Sequence, residues 1–518
     1  LEGDVFIKLF AGPRARFSDI QLEGAESVSP EVVLRELPFS EGSLFRESAL
    51  TEGQRQVFGL NLFQLATVNV VDGQPRDSTV DVIVRVREGP PRFINALTGY
   101  YSDGGMTGSA QWTHRNFTGG ARAFTASLRA QTGVGAVSPL PEIDYEARLS
   151  LRQPYIFQRS LSASVEPFAR YRDDAVEKST QYGVESSLLL ELGPLRTATL
   201  SGTVSRRTVG ADSTNLIDVS TLLPGDAFTI NRSELSLSSI FGNVDDPLNP
   251  SRGFVVRTSA SVSGLIFDES PFGTLGATAT GYLPLSEGFG VVARGSGGVF
   301  LPLRGTDPAD QATYLAVRDE LFFAGGTNDV RGWANNLLGA RFLDFTTIDT
   351  DFEYDSTAAT SEYYAGKYSV RYRPVGAEAK ASVSLQLNLP FPPGPQWGTS
   401  LFVDAGRVWS PAQGLYSLYG NVTNEFPGLA DLITLFEEDQ ARIRFGVGAS
   451  IQYLTPVGFL SIGLGWKINP SYFDVRSANS IFRRADIEDI DPGPADFSTI
   501  EEQVFRRLQF HFSFGQRF

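Results

Sequence analysis

The chain has 518 residues, a formal charge of −15, two histidines and no cysteine. Such a charge argues against nucleic acid as a partner, because that binding rests on Lys and Arg neutralising phosphates. Without cysteine there are no disulfides and no thiolate metal sites, and two histidines do not make a histidine-rich metal centre.

No stretch approaches the roughly 18 consecutive apolar residues of a membrane helix. A mean hydropathy of −0.10 is nevertheless compatible with a transmembrane barrel, whose strands alternate apolar and polar residues and so average out. At the start of the chain, "VFIKLFAGPRARFSDIQLEG" (Val5 to Gly24) matches "VDVIVRVREGPPRFINALTG" (Val80 to Gly99). Both run an alternating strand into Gly-Pro, then Arg and Phe, then a short strand ending in Gly. A spacing of about 76 residues is that of one module in a tandem array. Residues 1–15 are therefore expected to be the tail of a preceding module and 16–90 a complete one, with at least one more upstream. Within the complete module, Ser29-Pro30 predicts a helix start with a cap residue and Pro at the first position. A second helix is predicted over roughly Glu47 to Leu62, and "QLATVNVVD" and "STVDVIVRVRE" alternate as strands. That βααββ unit resembles a POTRA domain, the periplasmic module of outer-membrane assembly proteins.

From about Pro91 the helical signal disappears, and sixteen alternating segments follow, the first at 91–102 and the last at 503–518. Their length suits a tilted crossing of the bilayer, for which roughly nine to eleven residues suffice. Short turns, such as those near Gly193-Pro194, Ser286-Glu287, Pro392-Gly394 and Pro456-Gly458, all fall at one end. The long connections, about 304–377, 410–441 and 470–502, all fall at the other. This sorting predicts a 16-stranded antiparallel transmembrane β-barrel over 91–518, preceded by the βααββ domain. In the final strand, Leu508, Phe510, Phe512 and Phe514 share the parity expected to face lipid, and Gln509, His511, Ser513 and Gly515 the other. The chain ends on Phe518, in the lipid-facing parity; Phe514 and Phe518 resemble the terminal aromatic signal by which barrel proteins are recognised for outer-membrane insertion.

The long connection 304–377 carries "FFAGGTNDVRGW" (Phe322 to Trp333). Its Val330-Arg331-Gly332-Trp333 resembles the Val-Arg-Gly-aromatic signature of the BamA/TamA-type outer-membrane assembly superfamily. "DDPLNPSRGF" (Asp245 to Phe254), "SLFVDAGRVW" (Ser400 to Trp409) and "YLTPVGFLSIGLGW" are similar to further family segments and occur in the family order. The resemblance implies that the loop is re-entrant and that its arginine meets carboxylates on the inner wall. Residue parity supplies a candidate: if Leu401 and Val403 face lipid, Asp404 points inward, within reach of a paired hydrogen bond from Arg331. Gly325 and Gly326, with Gly332, are the expected hinge. The family commonly places a second acid on the twelfth strand, where this chain has Gln386 and Asn388. The remaining partners of Arg331 are thus open at this stage.

No catalytic constellation emerges. His114 and His511 both fall in barrel strands and read as pore-lining or rim polarity. The strand glycines read as close packing and kinks rather than phosphate loops. The acidic stretch Thr346 to Tyr364 matches no EF-hand and reads as a solvated loop. No enzyme activity, cofactor or metal is expected.

The resemblance implies an assembly factor that helps β-barrel proteins fold into the outer membrane through a lateral seam between first and last strands. Its partners would be unfolded barrel clients, the lipid bilayer, and periplasmic chaperones or accessory subunits acting through the POTRA domain, which would lie in the periplasm. Incoming strands would pair with an exposed edge. The alternative is a two-partner-secretion-type polypeptide translocation pore, which shares the same plan; a passive transporter or adhesin using the acidic loops is a third possibility.

Overall fold

The structure is a computed structural model. It describes residues 14–71, 78–102, 104–136, 142–173, 178–210, 227–246, 250–267, 270–286, 288–308, 311–327, 329–339, 341–347, 367–374, 376–390, 396–409, 442–455, 458–471, 474, 479–483 and 504–515. Residues 1–13 of the expected tail of a preceding module and the terminal Phe518 lie outside these described residues.

The first domain contains β1 (Arg16–Glu23), α1 (Pro30–Leu34), α2 (Glu47–Gly59), β2 (Phe63–Val70) and β3 (Thr79–Glu88). Two helices separate β1 from the β2–β3 hairpin, so β1 joins the sheet beside β3 and parallel to it, in the order β1–β3–β2. Alternation in "TVDVIVRVRE" puts Val82, Val84 and Val86 on the covered face, against Val33 and Val57 of the helices. Phe17 stacks on Phe39 at 4.0 Å between ring centroids and seals one end of this core.

Pro30 stands in the first turn of α1, but Ser29 makes no side-chain cap bond. The amides just upstream are served from across the sheet instead. The Glu88 carboxylate accepts the backbone N–H groups of Glu26, Ser27 and Val28, each at 2.8 Å, and the Ser27 hydroxyl. Burial alone would push Glu88 up, yet these hydrogen bonds from Ser27, Val28 and Glu26 outweigh it and hold its carboxyl below the usual glutamate range. A depressed native pKa means that this support is complete above the unfolded glutamate pKa and is lost as pH falls through the native one. Protection of the 26–28 amides against hydrogen exchange is therefore expected to fall on acidification through that window. Glu88→Gln should show low protection already at neutral pH and no further acid loss.

The second domain is a closed antiparallel barrel. Its first eight strands are β4 (Arg92–Tyr101), β5 (Gly105–His114), β6 (Ala123–Thr132), β7 (Ile143–Gln153), β8 (Leu161–Asp173), β9 (Lys178–Gly193), β10 (Arg196–Gly210) and β11 (Ala227–Val244). Then come β12 (Gly253–Ser263), β13 (Phe272–Ser286) and β14 (Phe289–Pro302). After the long loop follow β17 (Ala379–Pro390), β18 (Trp397–Trp409), β19 (Arg444–Thr455), β20 (Gly458–Lys467) and β22 (Leu508–Gly515). Sixteen strands close the ring, each hydrogen-bonded to its neighbours in sequence order, with β22 returning to β4. Closure removes the edges that lipid cannot solvate.

Alternation sorts the two faces. On β18, Leu401 and Val403 are 48% and 51% exposed to the surroundings, whereas Ser400, Phe402 and Asp404 are 4%, 3% and 0% exposed. Lipid therefore receives the first set, and the interior holds the second.

The long connections hold more regular structure than their sequence suggests. β15 (Arg341–Thr347), β16 (Lys367–Pro374) and β21 (Asn479–Arg483) form a separate three-stranded sheet in the order β15–β16–β21. Its strands come from the two connections expected to be loops at 304–377 and 470–502. Such short strands outside the bilayer carry no obligatory alternation, and their pairing bridges the two connections, so neither segment announces it alone. Most of the acidic stretch Thr346 to Tyr364 lies outside the described residues.

Candidate functional site

The site joins the loop between β14 and β17 to the interior wall of the barrel. The loop's root is α3 (Gln311–Val317), continued by a 3-10 turn, Arg318–Glu320. Two inward-pointing arginines fix it. Arg207 of β10 and Arg232 of β11 both donate to the Ala316 carbonyl at 2.8 Å, satisfying an acceptor at the helix end. Arg207 pairs with Asp319 at 2.7 Å, and Arg232 pairs with Asp319 at 3.2 Å and Glu320 at 2.5 Å. The Arg232 guanidinium also lies over the Phe272 ring, 4.9 Å from its centroid.

Removing one member of such a buried ionic group costs about 3–5 kcal/mol, because the remaining charges stay buried. Arg232→Met is accordingly expected to lower the thermal midpoint of the folded barrel, read by its heat-modified electrophoretic mobility. Adding Glu320→Gln should recover part of that loss. The sequence does carry a signal for this anchor: Arg207 and Arg232 lie on the inward parity of strands whose outward residues include Val204 and Leu235.

Beyond the root, the chain turns tightly. Gly325 and Gly326 adopt φ of +105° and +95°, where other residues are strained. A Cβ on Gly325 would lie 2.6 Å from the Ala334 carbonyl. The turn is closed by the Gly326 N–H donating to the Trp333 carbonyl at 2.9 Å. Val330 and Trp333 are buried in one cluster with Ala324, Leu338, Ala377 and Val408.

Gly332 has a different role from the two turn glycines. It has no positive φ, and a Cβ on it would meet only ordinary contacts, with Gly446 Cα and Lys467 Cγ at 3.5 Å; the crowding falls on the wall glycines that face the tip. A Cβ on Gly446 of β19 would come within 3.1 Å of the Gly332 nitrogen, and one on Gly465 of β20 within 2.1 Å of the Arg331 carbonyl oxygen. On Gly406 of β18 it would lie 2.6 Å from Val330 Cγ2. Three wall strands thus each leave out a side chain where the tip lands. In sequence these glycines read as packing and kinks; Gly446 and Gly465 admit loop backbone, and Gly406 admits the Val330 side chain.

Arg331 is held on every side. Its Nε donates to Asp404 Oδ2 at 2.8 Å and its Nη2 to Asp404 Oδ1 at 2.7 Å, the two-pronged geometry of a guanidinium on a carboxylate. Its backbone N–H adds a third bond to Oδ2 at 2.9 Å. Nη1 donates to Gln386 Oε1 at 2.7 Å and Nη2 to Ser384 Oγ at 2.8 Å, so neutral oxygens of β17 stand where the family commonly has a second acid. The guanidinium lies over Phe402, 3.6 Å from the ring centroid. The Arg331 carbonyl accepts from His511 Nε2 of β22 at 2.7 Å. A carbonyl can only accept, so Nε2 carries the proton. Ser384, Phe402 and His511 were not assigned to Arg331 from sequence, although each has inward parity on its strand.

The last strand meets the first over a short distance. Among the described residues, β22 pairs with β4 at Ser513↔Tyr101 and Phe514↔Tyr100, against eight pairs between β20 and β22. Next to these pairs, the Ser102 N–H donates to the Phe512 carbonyl at 2.8 Å, and the Phe512 N–H donates to Ser102 Oγ at 3.3 Å.

A three-stranded periplasmic module followed by a 16-stranded barrel, with a loop arginine clamped to the interior wall, defines an outer-membrane barrel protein of the POTRA-bearing class. The Omp85 superfamily domain matches residues 116–518, and the surface antigen variable number repeat, a POTRA, matches residues 15–89. The chain belongs to the Omp85 superfamily; the barrel lies in the outer membrane and the POTRA domain in the periplasm.

The outer membrane protein assembly factor BamA of Neisseria meningitidis serogroup B is 21% identical over 482 residues, covering 88% of this chain and 54% of that protein. A putative outer membrane protein assembly factor of Treponema pallidum is 30% identical over 132 residues, 24% of this chain and 15% of that protein. This chain thus spans about half the length of the first of these curated relatives and less of the other. The crystal structure of BamA from Haemophilus ducreyi lacking POTRA domains 1–3 has the same fold, with a TM-score of 0.70 at 19% identity, covering 98% of this chain and 86% of that one.

Proposed function

We propose that this protein helps β-barrel proteins fold into the outer membrane, acting at the joint between β22 and β4, with no covalent chemistry and no cofactor. The observation that carries this reading is the contrast in pairing around the ring: two residue pairs at the β22–β4 joint among the described residues, against fifteen between β10 and β11. A joint opens at smaller cost the fewer ladder bonds close it, and opening it exposes unpaired backbone that an incoming strand can complete. The names of the relatives support the same reading. The loop clamp then has a mechanical role: it fixes the wall on one side of the joint while the joint yields.

The POTRA sheet has β2 at one edge, where periplasmic chaperones, accessory subunits or client strands are proposed to add. Depletion of the protein in its host tests the reading. A general loss of many outer-membrane barrels is the expected result; loss of a single secreted polypeptide would speak for a translocation pore instead.

A further inference from the structure

His511 connects two features that the fold otherwise keeps apart: the luminal tip and the strand at the joint. Its side chain reaches inward to the Arg331 carbonyl at 2.7 Å. The next residue, Phe512, makes the backbone contacts with Ser102, and Ser513 and Phe514 pair with β4. Arg331 is meanwhile fastened to Asp404 of β18 and to Gln386 and Ser384 of β17. The Arg331 residue therefore spans the inside of the barrel as a chord from β17–β18 to β22, passing over β19 and β20. The two strands beneath the chord carry Gly446 and Gly465 where the tip touches them, so at these two positions the tip lies against wall backbone. The length of a chord fixes the curvature of the arc it spans, and this arc ends at β22.

The geometry points to His511 as a positioning residue that sets the resting position of the joint: its bond to the loop tip holds β22 against β4. Losing that bond leaves the tip seated on β17–β18, because Arg331 keeps all of its contacts there, but frees the end of the arc. This inference depends on the proposed insertion role only for its purpose.

The chain has no cysteine, so introduced pairs report cleanly. Tyr101→Cys with Ser513→Cys, register partners across the joint, are introduced into the full chain in lipid vesicles, and the rate of disulfide formation is followed under mild oxidation. His511→Phe keeps a ring but offers no donor and is expected to slow cross-linking by about two- to tenfold, the equilibrium shift that a single net hydrogen bond is worth. His511→Gln, which restores an N–H donor, should return the rate to that of the parent. In a separate background, Val330→Cys, buried at the tip, should stay as poorly labelled by maleimide in His511→Phe as in the parent.

Unchanged cross-linking in a folded His511→Phe barrel overturns the inference. So does a His511→Gln variant as slow as His511→Phe, or a thiol at position 330 that becomes exposed to the same degree, since His511 would then only seat the loop. If His511→Phe fails to fold, His511→Asn, whose shorter amide does not span to the carbonyl, gives the same comparison. No client is present in this measurement, so failure of the insertion reading and failure of the chord are separate results.

Discussion

Arg331→Ala is expected to release the loop tip from the barrel wall and to lower the stability of the barrel by about 3–5 kcal/mol, the cost of stranding one partner of a buried ion pair. The size of the effect comes from what is left behind. Asp404 has no exposure, and the side chain that supplies two of its three hydrogen bonds from Arg331 would be gone. Gln386 and Ser384 would each lose a charged donor as well, and Phe402 a stacked cation.

Arg331→Lys should recover little. A single ammonium cannot reach both Asp404 oxygens and the two β17 acceptors together, as the guanidinium fork does. Arg331→Ala combined with Asp404→Ala should be less destabilised than the sum of its parts, because the second change removes the stranded charge. Heat-modified mobility gives the stability, and maleimide labelling of Val330→Cys reports whether the tip has left its seat. A normal midpoint in Arg331→Ala, with the thiol at position 330 still unlabelled, would remove the arginine from any role in holding the loop.

Locking the joint should have the largest functional effect. With Tyr101→Cys and Ser513→Cys joined as a disulfide, β22 and β4 can no longer part, and insertion of barrel clients into vesicles is expected to fall to the level of vesicles without the protein. Reduction should restore it. The same two cysteines kept reduced, and a disulfide placed between two well-paired strands such as β10 and β11, serve as controls that leave insertion unchanged. Undiminished insertion by the oxidised joint would mean that clients do not enter there, and the contrast in strand pairing would need another explanation. The lock acts at the joint alone, whereas Arg331→Ala acts through the tip, which also reaches β22; the locked barrel is therefore the variant that isolates opening.

Much of this architecture is written locally. Lipid imposes a period of two on every strand it touches, so alternation in stretches such as "SLFVDAGRVW" is visible without any knowledge of neighbours. The same alternation turns Asp404 inward, and the split between short and long connections gives the direction of each crossing. Glycines at Gly325 and Gly326 mark the turn because only a residue without Cβ takes φ near +100° easily.

Other features are decided only by the fold. His511 and Arg331 lie 180 residues apart, and Arg331 and Asp404 lie 73 apart. Parity says which side chains enter the lumen, not which of them meet there. Gln386 and Ser384 could be recognised as inward and polar, but their service to one guanidinium depends on how β17 and β18 are registered. Gly465 and Gly446 look in sequence like any small strand residues, and their purpose appears only when another backbone lies against them. The sheet of β15, β16 and β21 unites two distant connections through hydrogen bonds alone.

The sequence by itself therefore determined the strands, their two faces and the loop that bears the arginine, since each follows from contact with a uniform solvent, lipid or water, along a continuous stretch. Tertiary structure alone decided the further partners of that arginine beyond Asp404, and its chord to the last strand. Those depend on the register in which remote segments are brought together, and that is a property of the closed ring.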